Sequence, residues 1–104
     1  MEVQLQLQKL HDQTDQITGD YQQSKTVFEN LDKHSKTILA QTELDYTGSQ
    51  AAIARNALAD PRYIEHLENV KEARGAYNRS WALLRGLEIK LSCLQSINRH
   101  LSNI

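Results

Sequence analysis

The sequence predicts an all-α protein: a long antiparallel helical hairpin of coiled-coil type, with a short connecting helix, assembling into a dimeric or higher helical bundle. Three observations carry this. Two stretches of some forty residues repeat apolar positions every seven residues; turn formers and Asp60-Pro61 separate them; and the second stretch is more apolar than one helix–helix seam can bury. The whole of 1–104 reads as a single helical domain: helix over about 2–44, a connector with a short helix over 45–60, helix over about 61–102.

The first helix follows from a stretch with no proline and one glycine, Gly19. One register runs Val3, Leu10, Ile17, Ser24, Leu31, Ile38, and the other Leu7, Thr14, Tyr21, Phe28, Ser35, Thr42. Positions alternating by three and four residues stay on one helical face, which makes them a seam. Glu29/Lys33 and Asp32/Lys36 stand four apart with the acid first, the favourable order. At the start Val3, Leu5 and Leu7 alternate with Gln, so a short strand or frayed end competes there.

The connector opens on Asp45-Tyr46-Thr47-Gly48-Ser49, with Gly48 as a candidate helix C-cap. Thr47 and Gln50 match a capping box, which would start a short helix through Ala51 to Ala59. Asp60-Pro61 is the sharpest boundary. An Asp side chain accepts from a free helix N–H, and Pro at the first helical position needs no donor.

The last helix then runs without proline. Its seam registers are Tyr63, Val70, Tyr77, Leu84, Leu91, Asn98 and His66, Ala73, Ser80, Leu87, Leu94, Leu101. Arg99 and His100 in its last turn suit the helix dipole. Residues 1–60 carry nine acids against five Lys/Arg, and 61–104 four against seven. That asymmetry suits an antiparallel pair. With residue i opposite roughly 105 − i, it predicts the pairs Asp20/Arg85, Asp15/Lys90, Lys33/Glu72 and Glu43/Arg62.

The hairpin leaves apolar surface over. Leu83, Cys93, Ile97 and Ile104 lie beside the last seam, with Trp81, Ile64 and Leu67 on its other flank. The first helix places Thr14, Ser24, Ser35 and Thr42 in its seam. The short middle helix can cover some of it and self-association would bury the remainder, with a closed monomeric three-helix bundle as the alternative; the predicted oligomer interface is Trp81, Leu83, Leu87, Leu91, Leu94, Ile97 and Leu101.

Signs of chemistry are sparse. His11, His34, His66 and His100 are scattered, none in a Glu-x-x-His or His-Glu-x-x-His pattern. Cys93 stands alone, which excludes an internal disulfide and a Cys-based zinc site, and it reads as a buried inert thiol. The four glycines form no phosphate loop. The expectation is no catalytic residue, no cofactor and no metal, hence no enzyme. One pattern competes with a purely structural reading: Arg74, Arg79, Arg85, Lys90 and Arg99 interleave with Tyr77 and Trp81, as on surfaces that hold phosphates by charge and bases by stacking. The favoured reading is that these cations pair with the acidic first helix, as the expected register suggests.

Net charge is −1 and charged residues are 24%, which points to neither nucleic acid nor membrane. No apolar run approaches the ~20 residues of a membrane span, and the opening residues lack a signal-peptide pattern. The expected setting is the cytoplasm.

Asp60-Pro61-x-Tyr63 … Tyr77 … Trp81-x-x-Leu84-x-x-Leu87 … Leu91-x-x-Leu94 resembles the small helical-hairpin accessory proteins of phages and related mobile elements, over residues 60–104 only. The resemblance implies a non-catalytic protein of the host cytoplasm that binds a host or phage protein, or assists single-strand DNA handling. It transfers no functional residue. The predicted function is therefore a helical interaction protein that self-associates and binds a partner protein, with nucleic-acid binding through the basic residues of the last helix as the alternative.

Overall fold

The computed structural model describes residues 2–103, and among them every regular element is a helix: α1 (Glu2–Lys33), α2 (Ser35–Glu43), α3 (Gln50–Leu58) and α4 (Pro61–Ser102). The competing strand at the start does not form. Glu2 already opens α1, and Val3 and Leu7 turn to the half-buried face while Leu5 is exposed, as helical spacing requires.

Contacts divide the chain into two units, Met1–Ser24 with Tyr77–Ile104 and Lys25–Ala76. In the first, Tyr21 and Tyr77 stack at 5.4 Å between ring centroids with their hydroxyls 3.4 Å apart, and Ser24 meets Ser80 at 3.4 Å. Farther along, Leu94 lines one groove with Gln6, Leu10 and Gln13. Low numbers on α1 thus meet high numbers on α4, and the two segments run antiparallel. In the second unit Phe28 lies under the Arg74 guanidinium at 5.3 Å, and Ser35 Oγ meets His66 Nε2 at 3.0 Å, again antiparallel.

The predicted seam is the observed one. Each named seam position of α1, α2 and α4 is at least half-buried except Leu101, which is exposed. The charge register is not observed. Among the described residues none of the four expected ion pairs forms. Ser35/His66 and Phe28/Arg74 set residue i opposite about 101 or 102 minus i in their unit, roughly one helical turn from the expected offset. Arg85 turns to Glu88 on its own helix at 3.5 Å, and Arg62 takes Asp45 at 2.5 Å and Asp60 at 3.0 Å. Register is set by what packs in the seam, since exposed ion pairs contribute too little to move it.

The helix expected over 2–44 is broken at His34. Its ψ of −4° flattens the turn, and its Nδ1 lies 2.6 Å from the Asn30 carbonyl oxygen, which also accepts the His34 N–H at 3.2 Å. A side chain that bonds the carbonyl one turn back competes with the helix ladder and loosens it. The seam continues through the break because Leu31, Ser35 and Ile38 keep the spacing.

Two cap assignments also change. α3 starts at Ser49, whose Oγ accepts from Ala52 N–H at 3.2 Å, in place of the expected Thr47. α2 ends at Leu44 in right-handed geometry, so Gly48 is not its cap. Gly48 adopts φ 117° in the reversal that precedes α3, a conformation that side chains with a Cβ rarely hold.

Candidate functional site

Two parts of the molecule are built with unusual specificity, the corner that starts α4 and the flank of α4 beside its seam.

At the corner, Asp60 is buried and does three things at once. Its Oδ1 accepts the Arg62 backbone N–H at 2.8 Å, capping α4; its two oxygens accept Arg62 Nε at 3.0 Å and Nη2 at 3.1 Å; and Oδ2 accepts the Tyr46 hydroxyl at 2.6 Å. Arg62 Nη1 then donates to Asp45. Every bond favours the ionised carboxylate, so Asp60 is held well below the ordinary carboxyl range, by the Arg62 side chain first and the Tyr46 hydroxyl next. The same contacts hold the Arg62 proton more tightly and push the Tyr46 hydroxyl up. This arrangement fastens the connector to α4. Among the described residues no buried side-chain nitrogen or oxygen lacks a hydrogen-bond partner, those of this corner included.

The predicted interface residues fall into two groups. Leu87, Leu91 and Leu94 sit in the seam and are half-buried there. Trp81, Leu83, Ile97 and Leu101 stay 52%, 58%, 48% and 53% exposed. Ile89 is exposed as well, a residue the sequence reading passed over although it lies on the outward face of the same helix. Cys93 is exposed, which corrects the buried thiol; its position falls outside the seam, on the flank where Leu83 and Ile97 are exposed too.

The five basic residues do not share a face. In an unbroken helix each residue turns about 100°, so Arg74, Arg85 and Arg99 fall within about 40° of one another, while Arg79 and Lys90 lie roughly 140–160° round from Arg74. The seam lies between the two groups. Nor do they pair with the acids of α1: Arg74 covers Phe28, Arg85 meets Glu88, and Arg99 approaches Ser96 Oγ at 3.4 Å.

The grooves are shallow and open to solvent. One, lined by Ile38, Gln41, Thr42, Arg62, Glu65 and His66, flanks the seam of the second unit; in it the Thr42 hydroxyl donates to the Ile38 carbonyl oxygen at 2.8 Å and His66 Nε2 meets Ser35 Oγ at 3.0 Å. Among the described residues no three His, Cys, Asp or Glu side chains gather closely enough to hold a metal ion. No helix among them is long and apolar enough to cross a membrane. No protein-family model, curated protein or solved structure matches the chain.

Proposed function

We propose that the chain is a non-enzymatic helical interaction protein of the cytoplasm that self-associates through α4 and presents its remaining faces to a partner protein. One observation carries this reading: after α4 has formed its seam with α1, a second run of large apolar side chains, Leu83, Ile97 and Leu101, with Trp81 on the other flank, is left to water. Exposed apolar side chains in a contiguous stripe mark association surfaces, whereas isolated ones are ordinary. The resemblance to phage and mobile-element hairpin proteins points the same way, to an accessory role by binding.

Light scattering during size-exclusion chromatography tests the reading. At micromolar concentration the chain should run as a dimer or larger, and Leu91→Asp should dissociate or unfold it by placing an unpaired charge in the seam. A folded wild-type monomer throughout that range would end it.

A second reading draws on the lack of ion pairs between α1 and the basic residues. Among the described residues Arg74, Arg79, Arg85, Lys90 and Arg99 make no ion pair with α1 and would be open to nucleic acid, and Trp81 is exposed on the flank of Arg74, Arg85 and Arg99. Single-strand binding would fall steeply with salt, would change Trp81 fluorescence, and would weaken on Arg79→Gln with helicity intact. The two-flank distribution of the cations favours the first reading, whose expected result is no binding at physiological salt.

A further inference from the structure

We infer that the flank of α4 formed by Leu83, Leu87, Lys90, Leu94, Ile97 and Leu101 is the docking surface for α4 of a second copy of this chain, running antiparallel about a twofold axis level with residue 92. The inference rests on the self-association proposed above and adds its surface, occupant and direction.

The spacing of these residues is four, three, four, three, four, a heptad pattern in its own right. Leu87 and Leu94 belong to both patterns: the seam with α1 half-buries them and leaves their other side open. Leu83 and Ile97 belong only to the second pattern, and they are exposed. The groove beside Leu94, bounded by Gln6, Lys9, Leu10 and Gln13 of α1, supplies a depression next to this flank.

A second copy is the fitting occupant on three counts. A compact folded monomer of this mass exposes about 6,000 Å², whereas this chain exposes 7861 Å², an excess of roughly 1,900 Å² against the ~800 Å² each partner contributes to a standard interface. The flanks of α1 in the same unit are polar, with Gln6, Gln13 and Asp20 on one side and Gln4, His11 and Thr18 on the other, so α4 supplies the apolar face on both sides of the contact. Finally, a twofold contact requires residue i to meet j and j to meet i. Reflected about residue 92, Leu83 falls on the other copy's Leu101 and Leu87 on its Ile97.

Lys90 decides the direction. A parallel pair would set Lys90 against its own copy at the centre of an apolar contact. The antiparallel pair sets it on Leu94 instead, where its four-carbon stem covers apolar surface and its ammonium reaches water.

Spin labels on the full-length chain test the geometry. A label on native Cys93 should report a separation within about 25 Å, one helix spacing plus two side chains. A label at Asn78→Cys, in a Cys93→Ser background, should report about 40 Å, fourteen residues of rise on each side of the axis. Sedimentation equilibrium should show Ile97→Asp monomeric with helicity kept, since Ile97 lies outside the α1 seam. Lys90→Leu should tighten the dimer at least about tenfold. A short separation at position 78, or a dimer indifferent to Ile97→Asp and Lys90→Leu, overturns this surface and leaves self-association standing. A monomeric wild type overturns both.

Discussion

Asp60 concentrates more structural work than any other side chain. It caps α4, holds Arg62 and takes the Tyr46 hydroxyl, and its carboxyl stays ionised far into acid because all of these favour the charged form. A carboxylate whose folded value is depressed stabilises the fold above its ordinary range, near pH 4. That stabilisation is lost as pH falls from there toward the lower folded value. Asp60→Asn should therefore lower the urea midpoint clearly at pH 7, and the gap from wild type should narrow steadily below pH 4. A gap of the same size at pH 2.5 would show that ionisation plays no part. The cap was legible in the sequence, since Asp-Pro at a helix start has few other uses. Its reach to Tyr46 and Asp45 was not, because it depends on how residues 45–60 fold back. Ser49 was passed over for Thr47 for a related reason: both fit a cap by residue type, and only the positive φ of Gly48 between them decides which side chain meets the free N–H.

For the helices, the seven-residue pattern read from the sequence was enough to place the seam, and the burial of successive positions follows it down to Asn98. A periodicity reports which face is covered, and little about continuity. The break at His34 was invisible for this reason, its cause being one ring nitrogen finding one carbonyl. Ion-pair register was misleading because charges at seam edges have many partners within reach. The seam's energetic weight can be tested in the second unit, where Val70 is buried and Leu67, one turn away, is exposed. Val70→Ala should cost about 2 kcal/mol, the loss of buried methyl groups plus a partly collapsed void, while Leu67→Ala should change stability by less than about 0.5 kcal/mol. Comparable losses at both positions in chemical melts would mean that another surface covers Leu67.

At the scale of the molecule the telling quantity is what is missing from the interior. The buried hydrophobic residues among those described are Ala57, Val70 and Ala73, and no large side chain is fully buried. Seams that half-bury their residues give a chain of 104 residues little reserve against the entropy of ordering it. If a second copy covers the exposed flank of α4, association adds stability to a chain that folds by itself, and the melting temperature must depend on concentration. Raising the chain from 1 to 100 μM, roughly a hundredfold in mass action, should raise the melting temperature by several degrees. Ile97→Asp should melt at one temperature throughout. A wild type that melts independently of concentration would mean that association contributes nothing to stability.

The corner at Asp60 also bears on the order of events in time. Its bonds join residues only fourteen and seventeen apart in sequence, Tyr46 to Asp60 and Asp45 to Arg62, whereas Tyr21 and Tyr77 are fifty-six apart. Closing a short loop costs less entropy than closing a long one, and each contact made shortens the loop left for the next. The chain should close like a zipper from the corner toward its ends. Asp60→Ala would then slow folding, Leu10→Ala would mainly hasten unfolding, and stopped-flow rates that reversed this assignment would place the start of folding elsewhere.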